Sequence, residues 1–182
     1  MQTQRLEAER VVDAPAAQVF AVLCDPHGHV DIDSSGMLQA AWGGPVRRVG
    51  DGFTVRMDRS ALNDEMPRWY DVEVTITAFA PARHIEWTVG MAGGEQVQHR
   101  YGYHLTPQQP RGTHVVSYYD WSGALPRYQE RGIFPMVPES ALRATLGILA
   151  RVVAPGRPPR RDLPAQWSYT GGEANAGLMT AP

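Results

Sequence analysis

The sequence contains no lysine, and all 17 of its lysine-plus-arginine residues are arginines. Schiff-base chemistry and the lysine of a phosphate-binding P-loop are therefore excluded. The chain also has no Gly-x-Ser-x-Gly elbow and no Gly-x-Gly-x-x-Gly loop after a strand pattern. Standard hydrolase and dinucleotide-binding machinery are absent as well.

The sequence also has only one cysteine, no long apolar run and no large excess of one charge. Cys24 is the single cysteine, so an internal disulfide is excluded, and a buried, inert thiol is expected. The first five residues lack the apolar stretch of a signal peptide, and no apolar run of about 18 residues occurs, so we expect a soluble cytoplasmic protein. The net charge of -2 argues against nucleic acid or membrane insertion as a main mode of interaction.

The length of 182 residues suits one domain with an appendage. We predict a domain over residues 1–154 and a Pro/Gly-rich arm over 155–182, where no apolar periodicity remains. The composition of the arm favours disorder. Trp167 and Tyr169 support the alternative that the arm docks on its own domain or on a second subunit, so a homodimer stays open.

The order of secondary-structure patterns is strand, short helix, several strands and one long helix. Residues 5–13 alternate as a strand does, and a helix bracketed by Pro15 and Pro26 follows, with its apolar residues on one face. Residues 28–35 are predicted to be irregular or helical. The further strands are predicted over 37–42, 52–59, 68–79, 83–91, 96–106 and 112–121. Residues 138–153 are predicted to form an apolar helix of about four turns.

This order, together with the segments 25–36 and 112–123, resembles the helix-grip superfamily. That superfamily includes START domains, birch-pollen-allergen-like proteins and the SRPBCC polyketide cyclase/dehydrase and lipid-transport group, here of actinobacterial type. The resemblance spans about residues 5–153. It implies an α+β fold in which a curved antiparallel sheet wraps around a long C-terminal helix, and it is specific for the fold rather than for a reaction.

Alternation indicates which side chains face the interior of such a sheet. The predicted inner face is apolar and aromatic with a few isolated polar groups, which suits a hydrophobic or polyaromatic ligand carrying some oxygens. For each single residue, core packing is favoured over ligand contact. The predicted ligand-binding residues are Phe53, Val55, Met57, Trp87, Tyr103, Ser117 and Trp121 on the strands and Leu142, Thr145 and Leu149 on the last helix.

Two classes of function remain open at this point. A binding module would carry or sense a lipid, polyketide or steroid-like compound, and the aromatic wall would suffice. An enzyme would resemble the polyketide aromatase/cyclases, in which cavity groups assist enolisation and loss of water. His99, Tyr101 and Tyr119 are the candidate catalytic residues in that case, and no cofactor is predicted.

The segment that follows the first helix permits two interpretations. His27, His29 and Asp31 copy the start of a His-x-His-x-Asp-His metal signature, but Ile32 replaces the final histidine, so no metal is predicted. In the helix-grip resemblance, the segment matches Asp-Pro-x-x-His-x-x-x-Asp-Gly-x-Gly with Ser34 in place of the first glycine. His29 and Asp33 are then either an acid–base pair at a cavity mouth or groups that stabilise the turn.

Two acidic side chains are predicted to lie outside the interior. Asp120 alternates away from the inner face and is expected to form a hydrogen bond in the turn. Glu86 alternates outward and is expected to face solvent.

Overall fold

The computed structural model describes residues 4–60, 69–110 and 112–154. The strands are β1 (Arg5–Val12), β2 (Leu38–Trp42), β3 (Gly52–Asp58), β4 (Trp69–Ala80), β5 (His84–Met91), β6 (Arg100–Pro107) and β7 (Thr113–Asp120). The helices are α1 (Ala16–Cys24), α2 (Pro26–Ile32), α3 (Pro126–Gln129) and α4 (Glu139–Val152). The predicted arm, with Trp167 and Tyr169, lies outside the described residues.

All seven strands form one antiparallel sheet in the order β1-β7-β6-β5-β4-β3-β2. Consecutive strands from β2 to β7 are neighbours, as expected when short Gly- and Pro-containing breaks form hairpins. Strand β1 is brought beside β7 because the two helices after β1 carry the chain to the other edge of the sheet. With the long helix α4 following the sheet, this architecture confirms the predicted α+β helix-grip fold.

One face of the sheet, called the inner face below, carries most of the core. Val115 and Tyr119 are 0% exposed, and Ser117 between them is 2% exposed, as the period of two predicts. The inner face also contains the buried residues Phe53, Val55, Val74, Ile76, Ile85, Trp87, Tyr103 and Leu105. The alternation in these strands therefore predicted the buried face correctly.

Helices α1 and α2 form a corner that covers part of the inner face. The carboxylate of Asp25 accepts a hydrogen bond from the backbone N–H of His27 at 3.0 Å, and Pro26 occupies the first helical position, so α2 begins with both favourable signals. The segment 28–35, which was predicted to be irregular or helical, is helical as far as Ile32 and then forms a turn. Helix α4 packs mainly on β1, α2 and β7, burying Leu142, Leu146 and Leu149.

The boundaries of β6 differ from the prediction. The strand begins at Arg100 rather than at residue 96, because Gln98 has a φ of 67° and cannot continue an extended ladder. Gln96 makes one isolated bridge to Gly90. The short helix α3 was not predicted, since its four residues are too few to show a helical repeat of apolar side chains. No helix in the described part of the chain is long and apolar enough to cross a membrane.

The opposite, outer face contains one buried aromatic residue that alternation did not single out. Tyr118 is 2% exposed and lies over Gly102, where an added Cβ would be 2.4 Å from the tyrosine ring. Its hydroxyl donates to Glu86 at 2.9 Å and lies 2.8 Å from Nε2 of His84, while the Arg5 guanidinium stands 4.1 Å above the ring. The prediction that Glu86 faces solvent is therefore wrong, since its side chain is only 13% exposed.

Candidate ligand-binding site

Partly exposed apolar side chains on the inner face collect at one end of the sheet. In this antiparallel arrangement, β3, β5 and β7 end where β4 and β6 begin. The half-buried inward residues at this end are Met57, Tyr70, Val72, Val89 and Tyr101. Toward the other end of the inner face, Ile76, Ile85 and Leu105 are buried. We call this group of five residues the half-exposed end.

Two tyrosines and a histidine meet beside the half-exposed end. The Tyr101 and Tyr119 rings stack with centroids 4.4 Å apart, as cross-strand partners on β6 and β7. The hydroxyl of Tyr119 lies 2.9 Å from Nδ1 of His99. Three side chains proposed as catalytic from the sequence are therefore in direct contact, and His99 reaches the site although it precedes the strand.

Burial sets the protonation of this group. Desolvation lowers the pKa of His99 to about 4, so the imidazole is neutral at neutral pH. Desolvation also raises the pKa of Tyr119 and, to well above its ordinary value, that of Tyr101. The neighbouring phenol of Tyr119 adds to this increase in the pKa of Tyr101, and the nearby charge of Arg59 opposes it.

One ring nitrogen of His99 has no hydrogen-bond partner among the described residues. Its Nε2 is buried, and no described residue contacts it with a donor or acceptor. An unsatisfied buried polar group costs about 1–3 kcal/mol, so this atom calls for an explanation. The rings nearest to His99 are those of Tyr101 and Tyr119 and the ring of Phe134, whose centroid is 5.8 Å away.

The wall beside these residues is aromatic. Trp87 stacks against Tyr101 and Tyr103 with centroids 6.4 and 5.9 Å apart. Burial raises the pKa of Tyr103 to about 12, and a hydrogen bond with Ser117 opposes that increase. Two polar groups that the sequence predicted in the ligand-binding set therefore satisfy each other, as buried polar groups usually do.

His29 lies deeper than the predicted cavity mouth. Its side chain is buried, and its ring packs edge-on against Phe53 and Trp87, at centroid distances of 4.8 and 4.7 Å. The Nε2–H donates to the carbonyl oxygen of Leu23 at 2.9 Å. Desolvation lowers the pKa of His29 to about 4. The residue thus ties α2 to α1 and to the inner face as a neutral imidazole.

Asp33 stabilises the turn between α2 and β2. Its carboxylate accepts hydrogen bonds from the backbone N–H and hydroxyl of Ser35 and from the backbone N–H of Leu38. Gly36 then adopts a φ of 72°, a left-handed conformation that glycine tolerates. His29 and Asp33 have separate partners, so the geometry favours the turn-stabilising alternative for this pair.

A short polar chain links helix α4 to the turn after α2. The hydroxyl of Thr145 donates to Ser34 at 3.0 Å, and the hydroxyl of Ser34 donates to the carbonyl of Ala141 at 3.1 Å. Ser34 thus has a function that the glycine of the family pattern could not supply. Leu142 and Leu149, the other predicted contacts on α4, are buried in the core.

Asp120 and Cys24 have structural roles rather than catalytic ones in this fold. Asp120 accepts hydrogen bonds from the hydroxyl and backbone N–H of Ser122 at 2.6 and 2.9 Å, which confirms the predicted turn contact. Cys24 is buried, as predicted, and desolvation raises the pKa of its thiol to about 11. Across residues 4–60, 69–110 and 112–154, no three His, Cys, Asp or Glu residues are grouped so that they could hold a metal. The absence of a metal stays a prediction.

Sequence reasoning missed the contribution of the connection between α3 and α4. Phe134 from this connection contacts His99, and its ring also stacks near Trp121, which is buried at the end of β7. Ile133 and Met136 beside it are each 40% exposed. An apolar cluster in a predicted loop was the available signal, but nothing local indicated where the loop would pack.

Comparison with known proteins gives the chain a family match and a set of similar folds. Residues 3–154 match the family described as polyketide cyclase / dehydrase and lipid transport. An uncharacterized protein of Mycobacterium tuberculosis strain H37Rv is 28% identical over 152 residues, covering 80% of this chain and 62% of the relative. The chain therefore spans less than two thirds of the length of that relative.

Solved structures resemble the fold at low sequence identity. Protein Ms6760 from Mycobacterium smegmatis has a TM-score of 0.61 at 14% identity, covering 82% of this chain and 90% of that one. DynU16, a protein of the dynemicin biosynthetic locus, has a TM-score of 0.55 at 15% identity, covering 88% of this chain and 51% of that one. At these identities the likeness concerns the fold alone.

Proposed function

The chain belongs to the polyketide cyclase/dehydrase and lipid transport family, and we propose that it binds a hydrophobic or aromatic small molecule, of lipid, polyketide or steroid-like type, between the inner face of its sheet and α4. The observation that carries this proposal is the half-exposed end. Five inward-facing apolar or aromatic side chains stay partly exposed there, beside a wall of stacked rings. A cavity behind this end stays a prediction.

The chemistry of the lining selects the ligand class. Trp87, Tyr101 and Tyr119 offer aromatic faces, on which planar or extended apolar molecules pack well. Such sites are typically apolar with a few polar groups that fix orientation. The phenols and His99 are groups of that kind. Native mass spectrometry of the purified protein would reveal the mass of a bound molecule directly.

A neutral fluorescent probe tests binding. We expect 1-aminoanthracene to bind with increased emission, and Val89→Asp to weaken binding at least about tenfold, because a carboxylate in the apolar lining must be desolvated. Val11→Asp is the matched control, since Val11 is 62% exposed on β1. Fluorescence titration gives both dissociation constants. Equal affinities for the two variants, or no binding by the wild type, would contradict the proposal.

A second candidate function is catalysis of the cyclase/dehydratase type. The hydrogen bond between His99 and Tyr119, next to Tyr101, favours it, because a buried imidazole–phenol pair can supply acid–base assistance to enolisation and dehydration. This pair would act on a poly-β-ketone chain held in the site. A carrier would need only the apolar wall.

Dehydration of a β-hydroxy ketone tests the catalytic alternative. If the protein is an enzyme, it accelerates loss of water, and Tyr119→Phe reduces the rate about 100-fold because acid–base assistance is lost. Tyr118→Phe, one residue away on the outer face, is the matched control and should keep the rate. Mass spectrometry follows the product. A wild-type rate equal to that in buffer would leave only the binding function.

A further inference from the structure

The hydrogen bond between Tyr119 and His99 indicates which nitrogen of His99 carries the proton. In a neutral phenol–imidazole pair, the phenol is the stronger donor and the ring nitrogen is the stronger acceptor, and this sets the role of Tyr119. Its own hydroxyl proton is then directed to Nδ1 of His99 at 2.9 Å. A neutral imidazole that accepts at Nδ1 carries its proton on Nε2.

The Nε2–H of His99 is therefore a buried donor with no acceptor in the described part of the chain. His99 is 1% exposed, and Nε2 has no partner among the described residues. Two other buried side-chain atoms in the described residues lack a partner, the hydroxyl oxygen of Thr88 and the amide oxygen of Gln96. Neither is a ring N–H donor held in one orientation, as His99 is. His99 is thus a buried residue with one assigned tautomer and an unsatisfied donor at Nε2.

The surroundings of His99 indicate how a partner reaches it. Three rings contact the imidazole, and two of them, Tyr101 and Tyr119, belong to β6 and β7 in the interior of the sheet. The third, Phe134, is half-buried on the connection between α3 and α4, next to the exposed side chains of Ile133 and Met136. Displacement of Phe134 is the movement that opens His99 with the least disturbance of the sheet.

We propose that the ligand of this site carries a carbonyl oxygen of the ketone or quinone type, and that the Nε2–H of His99 donates the hydrogen bond that orients it. This inference rests on the proposed binding function and names the chemical class within it. A carbonyl oxygen is an acceptor only, so it matches a donor that cannot reverse its role. A plain hydrocarbon would leave the donor unpaired.

A pair of probes that differ in one oxygen tests the inference. 9-Fluorenone and fluorene have the same ring framework, but only fluorenone has a carbonyl group. We expect the wild type to bind fluorenone about tenfold more tightly than fluorene, as one buried hydrogen bond provides. His99→Phe should abolish this preference. The exposed His104 on the outer face provides the matched control, and His104→Phe should retain the preference.

A measurement on the unsubstituted protein covers the case in which His99→Phe does not fold. ¹⁵N NMR of the imidazole should show His99 protonated at Nε2 and accepting at Nδ1. A proton on Nδ1, or equal affinities of the wild type for fluorenone and fluorene, would overturn the inference while the binding function stands. If neither probe binds, the proposed function fails and the inference fails with it.

Discussion

Acidification from pH 7 to pH 4.5 should destabilise this protein by roughly 5 kcal/mol through His29 and His99 alone. Both imidazoles are buried, and desolvation lowers the pKa of each from 6.5 to about 4. The unfolded chain takes up protons as the pH falls below 6.5, whereas the folded protein does not until the pH approaches 4. These two histidines therefore leave the free energy of unfolding at its full value above pH 6.5 and lower it as the pH falls from 6.5 towards 4.

Urea denaturation at several pH values measures this effect. The free energy of unfolding should decrease steadily between pH 6.5 and 4.5, by an amount that is large against the 5–15 kcal/mol typical of a domain. His84, whose pKa is lowered by desolvation and by the neighbouring His104, contributes in the same direction. His99→Phe should remove about half of the decrease, because one of the two buried imidazoles no longer titrates. A free energy that stays constant down to pH 5 would contradict the assignment.

Gly28→Ala should destabilise the protein by about 3–5 kcal/mol. A Cβ at residue 28 would lie 2.0 Å from the carbonyl oxygen of Val22 and 2.9 Å from its carbonyl carbon. Both atoms belong to the backbone of α1, so no side-chain rotation relieves the overlap, and α2 must move away from α1. Because His29 follows directly, the contact with Phe53 and Trp87 on the inner face should be disturbed as well.

Gly147→Ala is the matched control for this prediction. Gly147 lies within α4, and a Cβ there would have no atom within 4 Å. The same substitution should therefore stabilise the helix by about 0.5–1 kcal/mol, since alanine favours a helix interior over glycine. Thermal unfolding of both variants gives the comparison. A small effect of Gly28→Ala, comparable to that of Gly147→Ala, would show that the corner of α1 and α2 is not tightly packed.

Much of the fold could be predicted from local patterns. Period-two alternation placed Val115, Ser117 and Tyr119 on one buried face, and the proline-bracketed apolar period located α1. The final helix was predicted over 138–153 and spans Glu139–Val152. These predictions succeed because burial on one face of a strand or helix imposes a period that is visible in the sequence itself.

The candidate site was predictable only as a set of residues. Alternation grouped His99, Tyr101 and Tyr119, but the separation of 2.9 Å between a phenol oxygen and Nδ1, and the lack of a partner at Nε2, depend on how β6 and β7 pair. The sequence placed His29 at a cavity mouth, but no local pattern shows how deeply a side chain on α2 is buried. Packing against Phe53 and Trp87 put that ring in the core.

The sequence by itself determined the class of fold, the inner face and the apolar, aromatic character of the site, because these follow from residue type and period. Only the tertiary structure decided which polar groups satisfy one another. Glu86 and Tyr118 pair on the outer face because Gly102 leaves space for a ring. Phe134 covers His99 because a connection distant in sequence returns to the end of the sheet. Such contacts join residues that are far apart in the chain, and a local pattern carries no record of them.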